Sequence, residues 1–302
     1  MRQRLKRAGL ATAALLVLML VLTGANTWRQ WAGLAGAADT PATRHAQLEP
    51  FWRVTKPEEG IAGTGNAVLL SGCDGVHDNM GFWADQLAGR GYRALILDSH
   101  RPRDLDRFEA WRLVCMGQAL PGAERAGDLA VALADPAAPS GGTIVLGASH
   151  GGWAAMEFLR LALTGETPPA LRHWPASPAR LLQGLDAVIL LYPYCGLLNG
   201  ADDGDWTAAP PILMVLAAED RIVSTPACED MAVRLRERGA RIEVAILPGA
   251  DHGFDQRERA ALSVLSFDPD LRDRAADEVN AFLTAADKHG NARPRALPRN
   301  SD

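Results

Sequence analysis

Apolar runs and helical patterns alternate along the middle of this chain. Short, nearly unbroken apolar stretches lie at 67–71, 93–98, 143–147, 186–192, 211–217 and 241–247. Continuous apolar runs of this length predict strands buried on both faces. Between them, apolar residues recur at helical spacing near 79–89, 105–118, 122–134, 151–163, 225–238 and 270–286, which predicts amphipathic helices. The alternation places the chain in the α/β class, with a mainly parallel central sheet covered by helices on both faces. Two stretches follow neither period: 164–184, rich in Pro and Arg, and 196–210, rich in Gly and Asp. Both are expected near the active edge of the sheet, shaping a substrate pocket. No internal repeat is visible.

The ends have a different character. Arg2, Arg4, Lys6 and Arg7 precede an apolar run from Ala8 to about Ala25, the order of an export signal. Small residues at Thr23-Gly24-Ala25 and Gly36-Ala37-Ala38 offer cleavage points. The run also approaches the ~18–20 residues that span a bilayer, and Trp28 and Trp31 are placed for its interface. An uncleaved membrane anchor is therefore the alternative, and with no Cys near the end of the run a lipoprotein is not expected. The organisation expected is a signal or anchor over 1–38, one domain over 45–287, and a polar tail, 288–302, with the composition of disorder. A length of 302 residues suffices for a sizeable core. The net charge of −5, with dispersed arginines, gives no reason to propose a nucleic-acid partner, and the exported part is more acidic still.

The chemistry centres on Gly147-Ala148-Ser149-His150-Gly151, between the strand pattern Thr143–Leu146 and the helical pattern from Trp153. A strand, a tight turn tipped by Ser and a helix form a nucleophile elbow, whose glycines relieve clashes with the adjoining strand and helix. An acyl-transfer Ser needs a His to take its proton and a carboxylate to orient that His. Strand 211–217 is followed by Ala218-Glu219-Asp220-Arg221, and strand 241–247 by Pro248-Gly249-Ala250-Asp251-His252-Gly253. Asp220 is the acid of choice, with Glu219 its competitor, and His252 is the base. Asp251 and Asp255 are expected to cap or brace the His loop. An oxyanion hole needs two backbone N–H groups, assigned to His150 and to Cys73 in Ser71-Gly72-Cys73-Asp74-Gly75.

These segments, with Leu97-Asp98-Ser99, Arg101-Pro102-Arg103, Pro226 and Cys228, resemble the dienelactone hydrolase family of the α/β-hydrolase superfamily over roughly residues 50–286. The resemblance implies a Ser149–Asp220–His252 triad that cleaves an ester-like bond without cofactor or metal. The chain departs from the family's best-known members in having Ser rather than Cys as nucleophile, and Ser71 where a His is usual. The family's strand order also brings Cys73 near Cys115 and Cys195 near Cys228, implying two disulfides suited to an oxidising compartment.

Other candidates carry less. Asp74, His77 and Asp78 read as a polar loop cluster, their spacing matching no tetrahedral metal set. Arg101 or Arg103 offers a bidentate partner for a substrate carboxylate, weighed against a structural role. Phe82, Trp83 and Trp153 are expected on helix faces, with Trp153 a tentative pocket residue, and the His150 side chain is expected to pack locally. The function expected is an exported, periplasmic or secreted serine hydrolase of a small ester or lactone. The alternatives are a small-peptide serine peptidase and a non-catalytic binding protein on the same fold.

Overall fold

The computed structural model describes residues 2–34, 38–259 and 263–290. It opens with α1 (Arg2–Trp31), α2 (Pro41–Leu48) and a short strand β1 (Arg53–Thr55). Then come β2 (Gly65–Leu70), α3 (Asp78–Gly89), β3 (Tyr92–Leu97) and one turn, α4 (Arg107–Glu109), that runs into a π-turn at Ala110–Val114. The remainder is α5 (Gly122–Leu133), β4 (Thr143–Ala148), α6 (His150–Thr164), α7 (Pro178–Gln183), β5 (Leu185–Leu191), β6 (Ile212–Ala217), α8 (Thr225–Glu237), β7 (Ile242–Leu247) and α9 (Pro269–Gly290). The seven strands form one sheet in the order β1-β3-β2-β4-β5-β6-β7, parallel except for β1, which pairs antiparallel with β3. This is the α/β-hydrolase arrangement.

The apolar strand runs are explained by two cores. Successive side chains of a strand point to opposite faces. Val68 and Leu70 of β2, Val145 of β4, and Val188 and Leu190 of β5 pack with α5, α6 and α8. Their neighbours Ala67, Leu69, Ile144, Leu146, Ile189 and Leu191 pack with α3 and α9 on the other face. Parallel strands of one sheet point their carboxyl ends to one edge, and there the loops after β2, β4, β6 and β7 gather.

Two expectations from the sequence need revision. The stretch 105–118 is not one helix: Asp106 caps a single turn, and the π-turn and Gly117 at φ 67° break the helical period. The stretch 164–184 contains α7, and it lies away from the active edge. Helix α6 starts at the carboxyl ends of the strands and runs back, so its exit lies at their amino ends, where Leu163, Ala179 and Gln183 border a concavity of about 1210 Å³. Stretch 196–210 is irregular as expected, holding no helix or strand, and is anchored in the core by Trp206, which is fully buried and donates from Nε1 to the Asp203 carbonyl. Helix α2 begins at Pro41, where Thr40 accepts a bond from the Thr43 N–H and so caps the helix. Arg44 of α2 then reaches Asp128 of α5 at 2.7 Å, with Asp128 wholly buried and also held by Arg103. Of the expected disordered tail, residues 291–302 lie outside the described residues, as do Gly36 and Ala37.

Both disulfides are formed, Cys73–Cys115 and Cys195–Cys228, which leaves none of the four cysteines free. The second joins the loop after β5 to α8 across a sequence separation of 33. Closing a loop of that length restricts the unfolded chain by about 3–4 kcal/mol. Cys195→Ala with Cys228→Ala should therefore lower the urea midpoint by that free energy divided by an unchanged m-value, read by circular dichroism. A change under about 1 kcal/mol would show that the bond adds little to stability.

Candidate active site

Ser149 sits between β4 and α6 with φ 52° and ψ −115°, a backbone conformation sparsely populated by residues with a Cβ. Its neighbours show why glycine surrounds it. A Cβ on Gly147 would lie 2.4 Å from the Gly151 carbonyl oxygen, and one on Gly151 would lie 2.2 Å from that of Leu70. The turn is pinned by the Ser149 N–H donating to the Leu191 carbonyl at 2.8 Å. The hydroxyl is thus held at the tip of the turn, where Ser149 is half-buried.

The structure brings Ser149, His252 and Asp220 together from three loops. Ser149 Oγ lies 2.8 Å from His252 Nε2, and His252 Nδ1 lies 2.7 Å from Asp220 Oδ2. Asp220 Oδ1 accepts the N–H groups of Ile222 and Val223 at 2.9 and 2.8 Å, so the turn fixes one oxygen and leaves the other for the imidazole. An ionised carboxylate accepts only, so Nδ1 carries the proton and Nε2 is left to accept from Ser149. Glu219 is exposed, and its N–H donates to the Ala250 carbonyl at 2.8 Å.

The flanking carboxylates brace the loops. Asp251 accepts the His252 N–H at 2.8 Å and the Arg221 N–H at 3.0 Å, and pairs with the Arg221 guanidinium, clasping the loops after β6 and β7. Asp255 is buried and accepts Trp83 Nε1 at 2.7 Å and the Tyr192 hydroxyl at 2.5 Å. Burial raises its pKa above the ordinary carboxyl value against the pull of these donors. Tyr192 in turn sets its ring edge-on to His252, with centroids 4.9 Å apart. The Tyr192–Asp255 pair was not legible in the sequence, its members being 63 residues apart.

Residues 71–75 follow β2 at the same edge of the sheet. A Cβ on Gly72 would stand 3.9 Å from that of Ser149, so this backbone passes close over the nucleophile. The His150 N–H is the first of α6 and has no intrahelical acceptor, and the helix dipole favours negative charge at that point. Cys73 is tied from outside by Cys115 and from inside by His100, whose Nε2 donates to the Cys73 carbonyl at 3.1 Å. Beneath the loop, wholly buried Arg125 donates from Nη1 to the Ser71 carbonyl at 2.9 Å and to His150 Nδ1 at 3.0 Å. Burial and Arg125 hold His150 well below the ordinary value of 6.5, so its side chain is neutral. Asp74 Oδ2 lies 2.9 Å from His77 Nε2 and accepts Gln256 Nε2 at 3.2 Å, linking this loop to the His loop. Asp78 accepts the N–H of Glu258 at 2.8 Å.

The two tentative substrate contacts are placed elsewhere. Trp153 is 4 % exposed, packed over Gly122, edge-on to His150 and donating to Glu157 at 3.0 Å, so its indole serves packing rather than substrate contact. Arg101 is exposed, and its guanidinium lies over the Phe51 ring at 5.3 Å. Arg103 is structural, pairing with Glu124 and Asp128. The sequence reading missed Arg125, although its spacing of four from Leu129 puts a cation on the apolar face of a helix.

His100 makes the site sensitive to acid. Burial, aided by Arg125, lowers its pKa from 6.5 to about 3. A depressed folded pKa contributes stability that is complete above 6.5 and is lost as pH falls toward 3, at about 1.4 kcal/mol per unit. Between about pH 7.5 and pH 5 this histidine should cost the wild type about 2 kcal/mol that His100→Gln does not lose. Urea titrations of both proteins at the two pH values check this, and equal losses would contradict it.

Residues 176–286 match the dienelactone hydrolase family, a segment that holds Asp220 and His252 but not Ser149. Among solved structures, a candidate dienelactone hydrolase from Klebsiella pneumoniae superposes with a TM-score of 0.59 at 18 % identity, covering 77 % of this chain and 92 % of that one. A dienelactone hydrolase-like promiscuous phosphotriesterase from metagenomic libraries gives 0.54 at 16 % identity, over 78 % and 98 %. Esterase 2 of Thermogutta terrifontis gives 0.52 at 17 %, over 78 % and 88 %. At these identities the structural likeness speaks for the fold. Comparison with curated protein sequences gives no match.

Proposed function

We propose that this chain is a serine hydrolase of the dienelactone hydrolase family, cleaving a carboxylic ester or lactone through Ser149, His252 and Asp220. The observation that carries the reading is the unbroken line of contacts from Ser149 Oγ through the imidazole to Asp220, at 2.8 and 2.7 Å. His252 Nε2 takes the Ser149 proton as Oγ attacks the carbonyl carbon. The carbonyl π pair moves to oxygen, which the N–H groups of Cys73 and His150 stabilise. Asp220 holds the imidazolium. Collapse expels the alkoxide, which takes the proton from His252, or in a lactone stays attached as the new hydroxyl. Water, deprotonated by His252, then attacks the acyl-enzyme and frees Ser149.

The esterase named among the structural neighbours favours ester over amide substrates. The two disulfides and the apolar α1 support an exported enzyme, in the periplasm or beyond, with the hydrolase domain over 45–287. A fluorophosphonate probe should label folded wild type and not Ser149→Ala. Absence of label on the wild type would overturn the reading. p-Nitrophenyl esters, lactones and aminoacyl amides assayed side by side then separate esterase from peptidase.

A further inference from the structure

The turn α4 and the π-turn after it form a two-faced segment. Ala110 and Val114 point inward and make a small core with Leu120, apart from the two main ones. Outward stand Phe108, Trp111 and Met116, at 64 %, 47 % and 66 % exposure, and Leu197 on the loop after β5 is 98 % exposed. Large apolar side chains grouped in this way mark a surface that meets something apolar. Both segments are fastened to the site: Cys115 is bonded to Cys73, and the Tyr194 N–H donates to the Ser149 carbonyl at 3.2 Å.

What meets this surface follows from α1. Its stretch Gly9–Trp31 is long and apolar enough to cross a bilayer, and no part of it is buried against the domain over its most apolar window. Its carboxyl end is docked beside the patch: Asn26 Nδ2 donates to the Gln118 carbonyl at 2.9 Å, and Gln118 Nε2 donates to Thr27 Oγ1 at 2.6 Å. A Cβ on Gly117 would touch the side chains of Thr27 and Leu198 at 3.7 Å each, so the Met116 and Leu197 segments converge at the foot of the helix. Trp28 and Trp31 are exposed there, at the level where indoles settle among headgroups. A bilayer that takes up α1 reaches the domain at this foot.

We propose that the Phe108–Trp111–Met116–Leu197 face lies on the bilayer surface beside the emerging helix, and that the enzyme draws an amphiphilic, long-chain ester from that surface. The proposal builds on the hydrolase reading, and its first test is independent of activity. With every native Cys in a disulfide, a Cys placed at Leu197 is the sole reactive thiol. In the full chain reconstituted into phosphatidylcholine vesicles, a nitroxide on Leu197→Cys should show high oxygen and low nickel-chelate collision, as for lipid. One on Glu237→Cys, exposed at the far end of α8, should show the reverse. An aqueous signature at 197 overturns the proposal, as does spin–spin broadening there, which would mean that a second copy covers the face.

The second test asks about substrate. Combined Phe108→Ser, Trp111→Ser, Met116→Ser and Leu197→Ser should lower hydrolysis of p-nitrophenyl palmitate held in vesicles by about tenfold or more, with p-nitrophenyl acetate turnover within about twofold. Equal effects on both esters refute the substrate claim. A wild type inert toward both esters refutes the hydrolase reading instead, while the nitroxide result still decides where the face lies.

Discussion

Ser149→Ala should reduce kcat on an activated ester by about five to six orders of magnitude while KM stays within a few-fold. In the mechanism proposed above Oγ is the atom that bonds to the substrate, so its removal would end the covalent path rather than weaken a contact. His252→Ala should cost nearly as much, and the double variant little more than either, because neither group works without the other. What should survive is the rate due to the proposed oxyanion donors, the Cys73 and His150 N–H groups, and to positioning, about 10³ to 10⁴ above water in enzymes with such a triad. Folding should be untouched, since Ala and Ser meet the same penalty at φ 52°. Steady-state rates with p-nitrophenyl acetate, alongside thermal melts, check both statements. A loss below about a hundredfold, or losses that multiply in the double variant, would remove Ser149 from the role of nucleophile.

Much of this arrangement was legible before any coordinates, because its signals are local. The elbow is a run of five residues whose glycines face backbone on both sides. The acid follows β6, buried throughout, whose continuous apolar pattern reveals where it ends, and the base follows the edge strand β7, which is only partly buried and is interrupted by Glu243 but closes on Ala245-Ile246-Leu247. The elements that escaped notice depend on partners distant in sequence. Strand β1 is three residues, Arg53-Val54-Thr55, with no buried period, and exists through pairing with Ile96, Leu95 and Ala94. Helix α2 carried a readable cap in Thr40-Pro41, yet what holds it is Arg44 reaching Asp128 across 84 residues. The supports under the oxyanion loop, Arg125 and His100, are charged or titratable groups inside the protein, where residue type alone predicts surface. Trp153 erred in the other direction: proximity to Ser149 in sequence suggested a pocket wall, but four residues of helix turn its indole onto Gly122 and Glu157.

The choice between Asp220 and Glu219 yields the second large effect. Asp220→Asn should lower kcat by about 10⁴, with Glu219→Gln within about twofold of wild type. The Asn Oδ1 still accepts the Ile222 and Val223 N–H groups that Asp220 Oδ1 accepts, so the turn keeps its shape. The other atom becomes an amide N–H facing His252 Nδ1 where a carboxylate oxygen stood at 2.7 Å. Two donors cannot share that line, so Nδ1 gives up its proton and Nε2 carries it toward Ser149, the wrong tautomer for a base. The imidazolium of the transition state also loses its counter-charge. Raising pH should restore part of the rate in Asp220→Asn by aiding loss of the Ser149 proton without the imidazole, which a merely unfolded loop would not show. Glu219 contributes only its backbone N–H to the fold, and its side chain is exposed, so neutralising it leaves the imidazole undisturbed. Were Glu219→Gln the more damaging change, the carboxylate serving His252 during turnover would have to be Glu219, and the loop after β6 would have to reverse before catalysis.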